Sequence, residues 1–287
     1  MKVLIAQQCG FCFGVEHAIE LAEQLLAGRR CVYCLGPIIH NRQVVEELAK
    51  RGLKVVDALD EIPPLSEAER QAGRIPTVLI RSHGCHPAVL EEIRQRGLEL
   101  ADATCILVKR AQKLVAELGR QGYRVVMMGD PNHPEVQAAR GYAKNVVVIA
   151  GEEDLKHLPQ GGRIAVVSQT THSLEDFGRL VGLIAMRGYD EMKVVNTICR
   201  ETDRRQRAAA ELCRQVEVMF VLGGRDSANT RELADLCRRE GVPTYHLESW
   251  KDFQPQSVEG KRMAGVTAGA STPDSIIREF CENLEKA

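Results

Sequence analysis

Short apolar runs alternate with longer segments of helical periodicity along the whole chain. After Cys12, apolar residues recur every three or four positions from Val15 to Leu26, which predicts an amphipathic helix. Similar stripes predict helices over 107–118 and 208–216. Helices that alternate with short strands are typical of parallel sheets joined by crossover helices. The pattern therefore predicts an α/β fold, with strands at 31–35, 55–56, 77–81, 124–128, 145–149, 163–168, 218–222, 244–247 and 263–267.

The predicted elements form three similar series, each introduced by a cysteine. Cys12, Cys105 and Cys199 each follow a strand-like apolar run and precede a helical segment, and they are 93 and 94 residues apart. Each series then has the order helix, strand, helix, strand, helix, strand. A period this long indicates repeated α/β modules rather than a solenoid. We predict modules at 13–104, 105–195 and 196–287, with segment 1–12 completing the third sheet, and we expect the three parallel sheets to surround one central cavity about a pseudo-threefold axis.

Polar loops follow equivalent strands of the three modules. His40, His133 and Ser227 each lie 28 residues after the cysteine of their module. Further polar loops, at 82–84, 168–171 and 269–272, follow the last strand of each series. Ligands of open parallel sheets bind beyond the carboxyl ends of the strands. We therefore expect these loops and the three cysteines to face one shared cavity.

The composition restricts the class of protein. The 287 residues are 44% hydrophobic and 27% charged, with a net charge of −1. This is ordinary for a globular protein and lacks the basic excess that binds nucleic acid or an anionic membrane. No stretch approaches the roughly 20 apolar residues of a membrane span, and the N-terminus has no signal-peptide pattern. We expect a cytoplasmic location, where the ten cysteines serve metal binding, catalysis or packing rather than disulfides.

Three equivalent cysteines suggest a metal centre. Thiolates suit zinc or iron–sulfur clusters, and a cubane cluster held by only three protein thiolates leaves one iron open for substrate. One alternative is that the three cysteines are buried packing residues. Another is a zinc ribbon, because the pairs Cys9/Cys12 and Cys31/Cys34 have ribbon spacing. A helix is predicted between those pairs, however, and Cys31 and Cys34 lie in one strand on opposite faces.

The polar loops predict an anion site with one acid. Pro134 and Pro87 each indicate a helix start, and Thr272 is the expected cap of a third helix. Several helix N-termini together bind phosphate or diphosphate through free backbone N–H groups. Glu135 is the candidate proton donor, because burial beside an anion and a cluster raises the pKa of a carboxyl group. Its alternative role is a first-turn residue that favours the helix dipole. Asp102, Asp130 and Asp226 are expected to serve turns or caps. The side chains expected to donate hydrogen bonds to the anion, in addition to the backbone N–H groups, are His40, His83, Ser227, Asn229 and Ser271.

Taken together, these residues resemble the 4-hydroxy-3-methylbut-2-enyl diphosphate reductase family (the LytB/IspH family). The matching pieces run in family order over essentially the whole chain, and Asp102–Cys105, His133–Val136 and Thr267–Ser271 are the most specific. The other pieces are Gly10-Phe11-Cys12, His40-Asn41 with Val44-Val45, Ser82-His83-Gly84, Gln169-Thr170-Thr171, Ile198-Cys199, Arg205-Gln206 and Ser227 with Asn229.

The resemblance implies a pseudo-threefold trefoil of three α/β modules around a central cluster cavity, and with it a specific site and reaction. Cys12, Cys105 and Cys199 would hold three irons of a [4Fe-4S] cluster, and the substrate hydroxyl would bind the fourth. Ferredoxin or flavodoxin would supply electrons. Glu135, with Thr170, would deliver the proton with which the hydroxyl leaves as water, giving isopentenyl and dimethylallyl diphosphate at the last step of the methylerythritol phosphate isoprenoid pathway. The diphosphate would be held by His40, His83, His133, Thr170, Ser227, Ala228, Asn229 and Ser271.

Several positions depart from the family pattern. Phe13 and Ile106 follow the first and second cysteines in place of a small residue and proline. Ala228 replaces a serine, which removes a hydroxyl contact of about 0.5–1.5 kcal/mol, and we expect Thr230 or the backbone to compensate. Two rival hypotheses remain at this level. One is a triplicated iron–sulfur enzyme resembling quinolinate synthase, and the other is a zinc-stabilised or redox-sensing binding protein without turnover.

Overall fold

The computed structural model describes residues 1–28 and 31–287 of the chain, whose strands form three parallel four-stranded sheets. The first strand, β1 (Lys2–Ile5), is followed by helix α1 (Phe13–Ala27). The first complete sheet comes next in the chain and has the strand order β3-β2-β4-β5. Its elements are β2 (Val32–Leu35), α2 (Arg42–Lys50), β3 (Lys54–Val56), α3 (Glu67–Gln71), β4 (Thr77–Ile80), α4 (Pro87–Gln95) and β5 (Glu99–Asp102).

The second sheet has the same topology, with the order β7-β6-β8-β9. Its elements are α5 (Ile106–Arg120), β6 (Arg124–Met128), α6 (Pro134–Arg140), β7 (Val146–Ile149), β8 (Arg163–Ser168), α7 (Leu174–Ala185) and β9 (Glu191–Val194). The third sheet consists of α8 (Arg200–Cys213), β10 (Val218–Leu222), α9 (Ala228–Arg239), β11 (Thr244–Leu247), β12 (Met263–Ala268) and α10 (Asp274–Lys286). The N-terminal strand β1 pairs with β12 in the register Val3 opposite Ala264, as the sequence predicts.

Alternation along the central strands builds a core on both faces of each sheet. In β10, Val218, Phe220 and Leu222 pack on one face with Phe280 of α10. Met219 and Val221 pack on the other face against α8 and α9. A strand buried on both faces is almost continuously apolar, which is why β10 is visible in the sequence. The carboxyl ends of the strands are left for polar loops.

The chain divides into two compact units. We call Met1–Val15, His40–Arg42 and Cys199–Ala287 the terminal unit, and Glu16–Ile39 with Gln43–Ile198 the central unit. The terminal unit contains the third sheet, and the central unit contains the other two. Each sheet lies within one predicted module, whereas the division into three domains stays a prediction. Within residues 1–28 and 31–287, no helix has the length and apolar character needed to cross a membrane.

Three local predictions are wrong. Helix α8 begins at Arg200 rather than at 208, because its first turns lack an apolar stripe and are instead joined by ion pairs such as Arg204–Glu201 at 3.0 Å. The helix expected between the second and third strands is present in the first module, where α3 follows a 3₁₀ segment at Leu59–Glu61. The other two modules have only 3₁₀ segments there, at Glu152–His157, Trp250–Asp252 and Pro255–Val258. Thr272 does not cap α10, whose cap is Pro273, because the Thr272 hydroxyl donates to the carbonyl of Leu222 at 3.0 Å.

Candidate functional site

The central unit holds one buried acid, Glu135, at the start of α6. Its side chain is 1% exposed. Thr170, in the loop after β8, donates to it twice, from its backbone N–H to Oε1 at 2.8 Å and from its hydroxyl to Oε2 at 2.7 Å. Burial raises the pKa of Glu135 from 4.5 to about 7, and the two hydrogen bonds from Thr170 oppose the shift. The predicted pairing of Glu135 with Thr170 is therefore present, and the carboxyl group can hold or release a proton near neutral pH.

His133 is placed by the same helix start. It caps α6, and its Nδ1 accepts a hydrogen bond from the backbone N–H of Glu135 at 3.2 Å. Because Nδ1 acts as an acceptor, the neutral ring carries its proton on Nε2, which makes that atom a donor. The ring of His83 lies edge-on to the ring of His133, with centroids 5.2 Å apart. The central unit therefore brings two of the predicted diphosphate-binding histidines together.

Cys105 lies beside the His83 loop. It is the residue before α5, and its backbone N–H donates to the carbonyl of Ser82 at 3.0 Å. The preceding turn is closed by Asp102, whose Oδ1 accepts from the backbone N–H of Thr104 at 3.0 Å and whose Oδ2 pairs with Lys109 at 2.8 Å. The predicted turn role of Asp102 is confirmed. These contacts place a partly exposed thiol at the N-terminus of a helix, where negative charge is favoured.

Gln169 joins the two loops that carry the acid and its partner. Its Oε1 accepts from the backbone N–H of Asp130 at 3.0 Å, and its Nε2 donates to the hydroxyl of Thr171 at 2.8 Å. Gly129 permits this approach, since it has φ +156° and a Cβ there would lie 2.6 Å from Gln169 Oε1. The sequence motif contained Gln169, but only the pairing of two distant loops shows what its side chain does.

In the terminal unit, Cys12 and Cys199 each precede a helix. Cys199 is the residue before α8, and Cys12 is directly before α1. The backbone N–H of Cys12 donates to the carbonyl of Ala270 at 3.1 Å, which joins this segment to the loop after β12. Both thiols are partly exposed. A buried arginine, Arg205, donates from Nη2 to the carbonyl of Gly10 at 2.7 Å.

The terminal unit also collects His40 and the predicted donors of the third module. The Ser271 hydroxyl donates to the carbonyl of His40 at 3.1 Å, so Ser271 positions His40 in this arrangement. Gly224 approaches the same carbonyl so closely that a Cβ would lie 2.5 Å from it. Ser227 caps α9 by accepting from the N–H of Thr230 at 3.3 Å, which leaves its own hydrogen for an anion.

Asn229 has the clearest unmet hydrogen-bonding capacity of the terminal unit. Its side chain is buried, and within the described part of the chain neither amide atom has a hydrogen-bond partner. A buried amide without partners is unfavourable, so a polar ligand at this position is expected. Thr230 is also buried and its hydroxyl has no hydrogen-bond partner within the described residues, so compensation for Ala228 by Thr230 or the backbone stays a prediction.

The cysteines outside the predicted ligand set have other environments. Cys34 lies in β2, fully buried, and burial raises the pKa of its thiol to about 12, against the effect of Arg81. Cys31 is exposed, with its Sγ 3.7 Å from Lys54 Nζ. Burial also raises the pKa of Cys9 to about 12. Cys31 was expected in the same strand as Cys34 but lies directly before β2, and its exposed environment differs from the buried one of Cys34, which argues against a zinc ribbon. Cys85, Cys213, Cys237 and Cys281 are partly or fully buried.

Comparison with known proteins identifies the family. The family model described as "LytB protein" matches residues 3–285, so the chain belongs to the LytB protein family. A curated relative from Geotalea uraniireducens, named 4-hydroxy-3-methylbut-2-enyl diphosphate reductase, is 43% identical over 287 residues, covering 100% of this chain and 98% of the relative.

Two solved structures are also similar to this chain. One is a structure of (E)-4-hydroxy-3-methyl-but-2-enyl diphosphate reductase, described as the terminal enzyme of the non-mevalonate pathway, with 38% identity, full coverage of both chains and a TM-score of 0.69. The other is the E-1-hydroxy-2-methyl-but-2-enyl-4-diphosphate reductase from Plasmodium falciparum, with 24% identity, coverage of 99% of this chain and 87% of that one, and a TM-score of 0.90. The latter supports the α/β fold with three parallel sheets.

The residues of this chain fit an iron–sulfur group. The donor set consists of three partly exposed thiols, each directly before a helix, and thiolates are the usual protein ligands of such clusters. The positive charge of Arg205 lies in the unit that carries Cys12 and Cys199. Phe13 and Ile106, which depart from the family pattern, are 45% and 69% exposed. They follow two of the cysteines and do not replace a predicted ligand.

Proposed function

We propose that the chain is an iron–sulfur oxidoreductase that reduces (E)-4-hydroxy-3-methylbut-2-enyl diphosphate to isopentenyl and dimethylallyl diphosphate, the last step of the methylerythritol phosphate pathway. The family supports the substrate and the reaction. The observation that carries the mechanism is the buried pair of Glu135 and Thr170, because it provides a carboxyl group that is protonated in part at neutral pH.

The metal centre in this proposal is a [4Fe-4S] cluster held by Cys12, Cys105 and Cys199. When bound, the cluster supplies electrons one at a time and, lacking a fourth thiolate, an iron open to the substrate's hydroxyl oxygen. A ferredoxin or flavodoxin is the proposed electron donor. The net reaction consumes two electrons and two protons. One carbon–oxygen bond breaks, water leaves, and a carbon–hydrogen bond forms at either end of the allylic unit.

Glu135 supplies the proton that leaves with the hydroxyl oxygen. A hydroxide ion is a poor leaving group, so a neutral carboxylic acid directed at the oxygen favours cleavage. Thr170 fixes the carboxyl orientation through hydrogen bonds to both of its oxygens. Gln169 holds the Thr170 loop against the loop that precedes α6. These contacts pre-organise the acid before substrate binds.

Neutral donors bind the diphosphate in this proposal. The proposed donors are His133, whose Nδ1 accepts from Glu135, together with the Ser227 hydroxyl and the Asn229 amide. Backbone N–H groups at the starts of helices add to them. His40, His83 and Ser271 complete the predicted set, with Thr170 at the reacting end. Ala228 contributes no hydroxyl, so the substrate's contact there depends on Thr230 or the backbone.

Anaerobic turnover tests the proposal. Protein purified without oxygen is expected to be brown and to contain about four irons per chain. With the hydroxymethylbutenyl diphosphate and a chemical reductant it should form both five-carbon diphosphates, which mass spectrometry distinguishes from substrate. A colourless protein with stoichiometric zinc contradicts the cluster and supports the binding-protein alternative. An iron-loaded protein that leaves the substrate unchanged contradicts the reaction.

A further inference from the structure

We propose that Arg205 is a positioning residue for the iron–sulfur centre: its buried positive charge stabilises the reduced cluster, and its hydrogen bond holds the Cys12 segment against the helix that follows Cys199. This inference rests on the proposed function, because it assigns a counter-ion to the cluster. The family resemblance included Arg205-Gln206 as a sequence match without any role.

Burial makes the Arg205 side chain unusual. It is 2% exposed, and its only hydrogen-bond acceptor within the described residues is the carbonyl of Gly10 at 2.7 Å. Its Nε–H has no acceptor in the same part of the chain. A guanidinium is charged at every accessible pH, so its removal from water is unfavourable by several kcal/mol unless an anion compensates.

A protein carboxylate does not provide that anion. Glu201, one turn earlier on α8, is the nearest acidic contributor, but it forms an ion pair with Arg204 at 3.0 Å. No ion pair between Arg205 and a carboxylate occurs within residues 1–28 and 31–287. Burial lowers the pKa of Arg205, and the sulfur of Cys12 is the strongest influence in the opposite direction. Cys9, Glu201 and Cys199 act the same way more weakly.

The hydrogen bond also joins two segments that carry ligands. Arg205 lies on α8, the helix that begins after Cys199, and Gly10 lies two residues before Cys12. Gly10 has φ +89°, and a Cβ there would lie 2.6 Å from Asp274 Oδ1, so this backbone is held from the other side by α10. The same side chain therefore provides the positive charge and a structural link between the Cys12 and Cys199 segments.

This arrangement has a consequence for electron transfer. A [4Fe-4S] core of charge about 2+ with three thiolates carries about one net negative charge, and one-electron reduction adds another. A nearby buried cation stabilises the more negative state more strongly. Loss of the charge should therefore lower the reduction potential of the cluster. In Arg205→Gln we expect the equilibrium constant for one-electron reduction to fall about tenfold, which corresponds to a potential about 59 mV lower.

The test compares Arg205→Gln, Arg205→Lys and Arg204→Gln in the anaerobically prepared holoenzyme. Arg204 is the matched control, since it is the adjacent arginine on α8 but is 62% exposed. The midpoint potential is measured by a redox titration followed by electron paramagnetic resonance, and iron per chain is measured in parallel. Arg204→Gln should match the wild type. Arg205→Gln should show the tenfold loss, whereas Arg205→Lys should keep the potential but retain less iron, because the shorter ammonium side chain does not reproduce the Nη2 hydrogen bond to the carbonyl of Gly10.

The outcomes separate this assignment from the proposed function. A wild-type potential in Arg205→Gln overturns the assignment of Arg205 while leaving the reductase proposal intact. If Arg205→Gln does not fold, as judged by circular dichroism, then Arg205→Lys decides: an unchanged potential supports the role of the charge, and a tenfold loss overturns it. A wild-type protein without iron contradicts the proposed function itself, and with it the assignment.

Discussion

At the scale of single residues, Glu135 shows how far sequence can predict chemistry. Its position after His133 and Pro134 marks it as the candidate acid, and burial was one of the two causes predicted for its raised pKa. The structure confirms the direction and that cause. The double hydrogen bond from Thr170 joins residues 35 positions apart, so no local pattern could give its geometry. Arg205 was equally hidden, because a charged residue in a polar helix gives no sign of burial.

The raised pKa of Glu135 predicts how stability depends on pH. The folded value of about 7 lies above the ordinary value of 4.5. The favourable contribution of this carboxyl group to the free energy of unfolding is therefore present at low pH and is lost as pH rises through about 7. Between about pH 5 and pH 8, we expect the free energy of unfolding of the metal-free protein to fall by on the order of 2 kcal/mol through this group. Denaturant titrations of Glu135→Gln should lack this component, and identical pH dependence in both proteins contradicts the prediction.

Thr170 should tune the acid through its hydroxyl. The hydroxyl donates to Oε2 and so favours the ionised carboxylate. Thr170→Val should therefore raise the pKa of Glu135 further, by about one unit. Infrared titration of the protonated carboxyl band measures this shift, and Thr170→Ser is the control that keeps the hydroxyl. An unchanged pKa in Thr170→Val would mean that the backbone N–H alone holds the carboxylate.

At the scale of elements, several strands were predictable and the connections were less so. β6, β8, β10 and β11 have the predicted bounds, because strands rich in apolar residues and bounded by turns are unambiguous. Helix α8 was misplaced because its buried face includes Thr202, Arg205 and Gln206, which a hydrophobic pattern ignores. The misassigned cap Thr272 uses its hydroxyl for a contact with the end of β10 instead. Polar residues with tertiary partners account for both errors.

The loop between β6 and α6 should be intolerant of a side chain at Gly129. An alanine Cβ there would lie 2.6 Å from Gln169 Oε1 and 2.8 Å from Gln169 Cβ, so the loop pair must separate. We expect Gly129→Ala to destabilise by about 1–3 kcal/mol and to lower turnover. Gly161→Ala is the control, because Gly161 has φ +65° with nothing within 4 Å of its added Cβ. Gly161→Ala should lower the free energy of unfolding by only about 1 kcal/mol and leave turnover intact. Equal loss of turnover in both variants would contradict a role for the Gln169 contact.

At the scale of the whole molecule, the triplication was the most informative signal. The equal spacing of cysteines predicted three related sheets, and three parallel four-stranded sheets are present, one in each predicted module. The spacing of the repeats and the pattern of strands are properties of the sequence itself, so both could be predicted from it. The trefoil arrangement and the three domain boundaries depend on packing between modules and stay predictions.

The ligand set can be tested across the molecule. We expect Cys105→Ser to lose most of its iron, because one of three thiolates is removed. Cys34→Ala should keep about four irons per chain, since Cys34 is a buried packing residue of β2. Alanine is chosen there because serine would bury an unpaired hydroxyl. Iron and sulfide analysis after anaerobic reconstitution distinguishes the two variants. Metal loss in Cys34→Ala but not in Cys105→Ser would instead favour the zinc-ribbon pairing.

The central claim is that Glu135 donates the proton with which the substrate hydroxyl leaves. Its most direct test is single turnover of iron-loaded Glu135→Gln beside the wild type, with the reduced enzyme, the hydroxymethylbutenyl diphosphate and product analysis by mass spectrometry. If Glu135 is the proton donor, the variant keeps its iron and binds the diphosphate, yet forms product at least about 100-fold more slowly than the wild type. Product formation at the wild-type rate by Glu135→Gln would remove Glu135 from the mechanism.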